Sequence, residues 1–446
     1  MRNVAVVGGG FAGTECACYL ADRGVSVTLY EMKPVRFSPA HRSEALCELV
    51  CSNSFKASRV GSAAGLLKAE MRLLGSVTVE TALGCSVPAG GALAVDRAAF
   101  SRGVTEQVLS RANIRLVREE IAEIPTGFDA VVIAAGPLAS DALTRTLRER
   151  VGDAFLSFYD AAAPVVEASS VDMAHAFCQS RYDRGGEDDY VNCPMDKAQY
   201  EAFYEALVTA ETAALHDFDK GAVYEGCMPV EVLAKRGHDA IRYGPLKPVG
   251  LVDPRTGHRP WANVQLRREN AAGTMYNLVG FQTNLKFSEQ KRVFGMIPAL
   301  AEAEYVRYGV MHRNTFLNAP RVLEPDQSLK GCPSLFFAGQ ITGVEGYMES
   351  ASSGITAAIH VLRYLAGKER YVFPAETMLG GLQRHLSDTV SRGYQPMGAA
   401  FGLLPPSEDA QNGKRGRKNK KERYEELAKR SLSLYETTVL PEINNG

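Results

Sequence analysis

The chain contains no apolar run approaching the roughly 20 residues that a bilayer-spanning helix needs. Nor does it carry surplus charge of either sign. Lys and Arg number 50 and Asp and Glu 51, so no global basic field advertises nucleic acid and any RNA site must be a local patch. Its nine cysteines, an odd number, lie scattered without paired metal spacing. That pattern suits reduced thiols in a cytosol better than a disulfide framework. No His/Cys/Asp cluster, Walker A segment or Ser-His-Asp pattern is present, so no metal is expected. Met1 runs almost at once into the first strand, which leaves no room for a signal peptide, and a cytoplasmic location is expected. A second GxGxxG is also missing. NADH or NADPH, if used, therefore has no dedicated Rossmann domain and must dock transiently.

What is present begins at residue 4. The strand Val4 to Val7 enters Gly8-Gly9-Gly10-Phe11-Ala12-Gly13, a helix follows, and a second strand ends at Glu31. Gly8 makes the tight turn, Gly10 lets backbone approach a pyrophosphate, and Gly13 lets the helix lie close on the strand. The helix N-terminus offers free N–H groups to phosphate, and Glu31 sits where a carboxylate accepts ribose hydroxyls. Some three hundred residues later, Leu335 to Ala338 reads as a short strand ended by Gly339, with a helix from about Ser353. Its Gly- and Ser-rich start, with Gln340, Gly346 and Tyr347, suits the pyrimidine edge of a flavin. FAD is the expected cofactor.

At 446 residues the chain has room for two or three domains. A helix is expected over Ala63 to Leu74, and Asp96 is placed to cap another. The run IRLVREEIAEIPTGFDAVVIAAGP reads as strands joined by a Pro-Thr-Gly turn and ending at Val131 to Ala135 and Gly136. This resembles the meander and strand–Gly turn of glutathione-reductase-type FAD domains. The expected fold is α/β: an FAD-binding Rossmann-like domain of that type with an inserted α+β domain. The boundaries read 1–160 and 306–405 for the FAD domain, 161–305 for the insertion and 406–446 for a basic tail and helix. Seven of the ten residues from Lys414 to Arg423 are basic. They read either as a solvated linker or as a phosphate-contacting arm, with Lys414 and Arg415 as candidate RNA contacts.

The segments VCSNS (Val50 to Ser54), PAGGALAVDR (Pro88 to Arg97), GCMPVE (Gly226 to Glu231) and GPLKPVGLVDPRTG (Gly244 to Gly257) carry a resemblance. So do LVGFQTNLKFSEQKR (Leu278 to Arg292), RYGVMHRNTFLNAP (Arg307 to Pro320) and AGQITGVEGYMESASSG. Together they resemble the folate- and FAD-dependent tRNA uracil-5-methyltransferases from Met1 past Met397. A related flavoprotein family that modifies wobble uridines has a long additional C-terminal region, which argues against that assignment here.

The resemblance implies methylenetetrahydrofolate as carbon donor, reduced FAD as electron source, NADH or NADPH as reductant, and a T-loop uridine of tRNA as substrate. A ribosomal RNA uridine stays open, and so does a non-catalytic FAD-stabilised RNA-binding factor. Uracil C5 is a poor nucleophile until a thiolate adds to C6, so cysteine is the natural catalyst. The resemblance suggests Cys227 for that role and Cys51 beside the flavin. Lys235, Arg236 and Arg242 follow Cys227 and are candidates to favour its thiolate. His312 would stack the folate pterin, and Tyr347 would lie beside the flavin. Arg and Lys of QLRRE and NLKFSEQKR are candidates for the folate glutamate or RNA phosphates. Cys16, Cys18, Cys85, Cys178, Cys193 and Cys332 read as small hydrophobes.

Overall fold

The computed structural model describes residues 2–183, 186, 189–213, 228–387, 394–406 and 419–444. Strands are numbered along the chain. The central sheet runs in the order β16 (Ser328–Leu329), β17 (Cys332–Phe337), β7 (Ala130–Ile133), β1 (Asn3–Val7), β2 (Ser26–Glu31) and β6 (Ile114–Arg118). Every pairing in it is parallel except β16 with β17. Strands buried on both faces read as continuous apolar runs, and β1 shows why. Val4 and Val6 join one hydrophobic cluster, and Ala5 and Val7 join another on the opposite face.

Seven helices matter below: α1 (Phe11–Ala21), α2 (Ala63–Leu73), α3 (Arg97–Leu109), α4 (Lys197–Thr209), α5 (Tyr347–Leu365), α6 (Met378–Ser387) and α7 (Lys420–Leu434). Helices α1 and α5 lie against each other, and glycine permits it. A Cβ on Gly354 would sit 2.1 Å from the Ala12 carbonyl oxygen, and one on Gly13 would sit 1.8 Å from that of Gly8. Asp96 caps α3 as its side chain accepts from the Ala99 amide.

A second, antiparallel sheet has the order β10 (Phe177–Cys178), β11 (Tyr190–Met195), β12 (Ala262–Arg268), β13 (Met275–Leu278), β9 (Val165–Glu167) and β14 (Tyr305–Arg307). Tyr200, Phe203 and Leu207 of α4 supply its core with Val264, Leu266 and Phe281. β8 (Phe155–Ala161) and β15 (Met311–Leu317) pair antiparallel along their length, so the chain leaves for this sheet and returns from it side by side. A small sheet of β3 (Ser54–Ala57), β5 (Ala92–Val95) and β4 (Ser86–Val87) completes the set.

The sheet settles one pairing, and one helix start is corrected. β6 and β7 do not form a hairpin across the Pro-Thr-Gly turn, because β1 and β2 lie between them in the sheet. The apolar content of both strands is satisfied by parallel neighbours instead. The late helix starts at Tyr347, not near Ser353. The Ser353 hydroxyl is not a cap: it accepts from the Gly339 amide at 3.0 Å and from Gln327 Nε2 at 2.8 Å, tying the helix to the sheet.

A buried carboxylate ties the end of the described chain to the rest. Glu70 of α2 accepts from the Met378 and Leu379 amides at 2.7 and 2.9 Å, and from Ser431 Oγ and Tyr435 Oη at 2.5 and 3.2 Å. Burial pushes its carboxyl up to about 7. No helix among the described residues is long and apolar enough to cross a membrane.

Candidate functional site: two cavities that meet at Cys51 and Tyr347

The first cavity is built mostly from backbone. Gly8, Gly9 and Gly10, Phe11 and Ala12 of α1, Glu31, Gly136 and Gly339 and Gln340 line a cleft with about 1080 Å³ of empty space. Gly8 turns with φ +111°, and a Cβ there would press into the Ala134 carbonyl. Gly10 is the N-cap of α1, and nothing lies within 4 Å of where its Cβ would stand. That open space beside the unpaired amides of a helix N-terminus is what a pyrophosphate occupies. The Glu31 carboxylate accepts from the Gly9 amide at 3.0 Å and the Lys33 amide at 2.9 Å, which fixes its orientation. These residues fit the phosphates and ribose of a dinucleotide such as FAD.

The second cavity adjoins the first and shares Val50, Pro137, Leu138, Gln340 and Tyr347 with it. Its walls come from Cys51, Ser52, Lys56, Arg267, Asn277, Gln282, Asn314 and Glu349, so segments far apart in sequence meet there. Asn277 Nδ2 is buried on this wall without a hydrogen-bond partner among the described residues. A buried donor left unpaired is costly, and a polar ligand relieves it. Lys56 meets Glu349 at 2.8 Å.

Cys51 and Tyr347 stand at the junction. Their Sγ and Oη atoms are 3.0 Å apart, and the Cys51 amide donates to the same phenol oxygen at 2.9 Å. The Tyr347 ring stacks on Phe11 at 4.7 Å and meets Phe55 edge-on at 6.0 Å, so it has little freedom. Burial pushes its phenol well up, and Tyr347 is neutral at physiological pH.

Three arginines, none of them assigned from the sequence, hold the loop that carries Cys51. Arg97 pairs with Glu269 and donates to the Leu49 carbonyl. Arg267 donates to Asn53 Oδ1 at 3.0 Å and Ser52 Oγ at 2.9 Å. Arg307 donates to the Val50 carbonyl at 3.1 Å. Burial alone would raise the Glu269 carboxyl, but Arg97 overrides it and holds the group below the usual carboxylate range. One carboxylate faces three guanidinium groups, and the surplus positive charge favours anions at the loop. Arg267 of QLRRE thus bonds to the Cys51 loop while also lining the second cavity.

Other candidates fall elsewhere. Cys227, Lys414 and Arg415 lie outside the described residues. The Val230 amide, three residues after Cys227, donates to the Gln282 carbonyl at 2.7 Å, and Gln282 lines the second cavity. His312 is described by its backbone alone, on β15 two residues before the cavity-lining Asn314. Arg242 Nε donates to the Trp261 carbonyl at 2.8 Å. Cys16, Cys18 and Cys193 are buried, whereas Cys178 is exposed at the sheet edge and is no core residue. Among the described residues no group of three or more His, Cys, Asp and Glu is placed to hold a metal ion. The contacts these arginines make escaped the sequence reading because their partners lie up to 257 residues away.

Comparison with known proteins adds the following. A family model described as glucose inhibited division protein A matches residues 3–369. The methylenetetrahydrofolate–tRNA-(uracil-5-)-methyltransferase TrmFO of Listeria monocytogenes serotype 4b is 52% identical over 432 residues, covering 97% of this chain and 98% of its own length. That of Heliobacterium modesticaldum is 54% identical over 415 residues, covering 93% and 94%. Among solved structures, Aquifex aeolicus GidA in its form I crystal superposes with a TM-score of 0.68 at 18% identity, over 96% of this chain and 78% of that one. At that identity the likeness is one of fold. The architecture is an α/β Rossmann-like dinucleotide domain of the glutathione-reductase type carrying an inserted α+β domain.

Proposed function

The chain belongs to the family of the methylenetetrahydrofolate–tRNA-(uracil-5-)-methyltransferases, and from that premise we propose how its residues divide the work. The protein is an FAD-binding enzyme that methylates C5 of a uridine in tRNA with a carbon from methylenetetrahydrofolate. The uridine is the T-loop one. The observation that carries the reading is the meeting of a dinucleotide cleft and a second polar cavity at the Cys51–Tyr347 contact.

FAD would be held by the Gly8–Gly13 turn, Glu31, Gly136, Gly339 and Gln340; once reduced by NADH or NADPH, it supplies the two electrons that take the folate carbon from the formaldehyde to the methyl level. The thiolate of Cys227 adds to uracil C6, which makes C5 nucleophilic enough to take the one-carbon unit. Loss of the C5 proton releases tetrahydrofolate as the bond between its nitrogen and the transferred carbon breaks. Two electrons and a proton complete the methyl group at that carbon, and departure of the thiolate from C6 restores the base. Cys51, in the positive surroundings of Arg97, Arg267 and Arg307, accepts or returns a proton at its Sγ, with Tyr347 holding that atom by its Oη. His312 orients the pterin. Lys414 and Arg415 contact RNA phosphate.

Incubation with NADPH, tRNA transcript and folate labelled in the methylene carbon tests this. Label is expected in 5-methyluridine of the T loop, with none from S-adenosylmethionine. Cys227→Ala is expected to keep its FAD and yet form no covalent adduct with 5-fluorouridine RNA. Label drawn from S-adenosylmethionine would refute the chemistry.

A further inference from the structure

The segment GPLKPVGLVDPRTG, from Gly244 to Gly257, takes no part in either cavity beyond its neighbours, yet it forms one wall of a third cleft. This cleft lies on the antiparallel sheet's side of the molecule, between the start of α4, the Gly244–Gly257 segment and Trp261. Its lining is cationic and aromatic: Lys197, Arg242, Tyr243, Arg255, Arg259 and Trp261. The Arg242 guanidinium lies 3.9 Å over the Trp261 ring, and Lys197 reaches to 5.5 Å of it. Tyr243 leaves 70% of its surface exposed, an unusual setting for an aromatic ring.

The two carboxylates on this wall are already engaged. Asp253 takes the Arg255 fork at 2.9 and 2.7 Å, and Asp196 caps α4 by accepting from the Gln199 amide at 2.8 Å. Arg242 keeps a looser contact with Asp239 at 3.7 Å. Lys197 and Arg259 are exposed and meet no carboxylate among the described residues. In a chain whose charges otherwise balance, this is a local positive patch furnished with flat rings. Phosphate backbone attracts the cations, and an unpaired base stacks on an open ring.

The cleft is also fixed relative to the reaction. Trp261 immediately precedes β12, and Arg267 near the other end of that strand lines the second cavity. Six strand residues span about 20 Å. A rigid strand thus separates the reacting cavity from the cleft by a distance that a short RNA stem bridges.

We propose that this cleft docks tRNA away from the methylated nucleotide, with backbone phosphates against Lys197, Arg242 and Arg259 and an unpaired base on Tyr243. The proposal rests on the reading of the protein as a tRNA methyltransferase. Full-length enzyme carrying FAD is titrated with a fluorescent tRNA transcript at several salt concentrations. Replacing Lys197 and Arg259 together by alanine is expected to weaken binding roughly tenfold and to lower the log–log salt slope by about two, one per lost phosphate contact. Tyr243→Ala is expected to weaken binding with the slope unchanged, and Tyr243→Phe to restore it. FAD content and melting temperature stay at wild-type values, because all three side chains are exposed, and the paired variant Lys197→Arg with Arg259→Lys binds normally.

If the wild type binds and methylates tRNA while the double alanine variant keeps its affinity and slope, the cleft serves another partner, such as a protein, and this proposal alone falls. If the wild type neither binds nor methylates tRNA, the functional reading falls and takes the cleft with it.

Discussion

The two cavities that meet at Tyr347 are built by different means. The phosphate and ribose end of the dinucleotide cleft is made mostly of main chain: a glycine turn, the first amides of α1 and one carboxylate within residues 8–31, with Gly136 and Gly339 beside them. The second cavity is made of side chains from Cys51, Arg267, Asn277, Asn314 and Glu349, held by hydrogen bonds that span hundreds of residues. A main-chain site depends on a few positions where no side chain fits. A side-chain site depends on buried charges whose partners all have to arrive together. The first is therefore expected to be most sensitive at its glycines and at Glu31, and the second wherever a buried partner is removed.

The sharpest way to break this contrast lies inside the glycine turn itself. Gly13→Ala places a Cβ 1.8 Å from the backbone oxygen of Gly8, which has nowhere to go. Loss of folded protein, or a destabilisation above about 4 kcal/mol, is expected in denaturant titration. At Gly10 a Cβ meets nothing within 4 Å in the protein itself, and Gly10→Val is the contrasting variant. It is expected to fold and to emerge colourless, with FAD content measured by absorbance after denaturation. Equal melting and equal FAD content in the two variants would erase the distinction between a packing glycine and a phosphate glycine.

In the side-chain cavity the counterpart is Arg97→Ala, which leaves Glu269 buried without its partner. Breaking such a pair costs roughly 3–5 kcal/mol, and Arg97→Lys is expected to recover only part because it cannot reproduce the forked contact. Glu70 belongs to the same class, since it gathers α6 and α7 from more than three hundred residues away. Its carboxyl titrates near 4.5 unfolded and is pushed by burial to about 7 in the folded chain. Between those values the folded protein keeps a proton that the unfolded chain releases, so stability falls as pH rises through the window. The expected loss between pH 5 and 8 is on the order of 3 kcal/mol. Glu70→Gln is expected to flatten that dependence; a wild-type stability that rises over the same range would show the group ionised.

The same distinction explains what was legible beforehand. Gly8, Gly10, Gly13 and Glu31 announce themselves because a strand–turn–helix–strand unit is complete within thirty residues. Asp96 was readable as a cap for the same local reason. Arg97, Glu269 and Arg307 were not, because nothing in a single sequence says which buried arginine meets which carboxylate across two sheets. The start of α5 was placed near Ser353, about two turns late, and the hydroxyl of that residue serves Gly339 and Gln327 from inside the helix. The strands β6 and β7 were readable from their residues, but not their neighbours, because a parallel sheet sets β1 and β2 between them.

The smallest expected effect falls on the atom pair where the two constructions touch. Tyr347→Phe keeps the ring on Phe11 and Phe55, so the wall of the dinucleotide cleft is unchanged and FAD content is expected to match wild type. The variant removes only Oη, which accepts from the Cys51 amide and lies 3.0 Å from its thiol. One modest hydrogen-bond network is worth about 1 kcal/mol, so melting is expected to drop by a few degrees at most. Methylation suffers more than stability, because an unheld Cys51 Sγ samples positions outside reach of the substrate. A fall in kcat of roughly tenfold is expected, with reduction of the bound flavin by NADPH unaffected. The informative quantity is the ratio of those two rates. If flavin reduction and methylation decline together, Tyr347 acts on the dinucleotide side and the boundary between the two cavities lies beyond it. If methylation alone declines, the phenol oxygen belongs to the side-chain cavity although its ring belongs to the main-chain one.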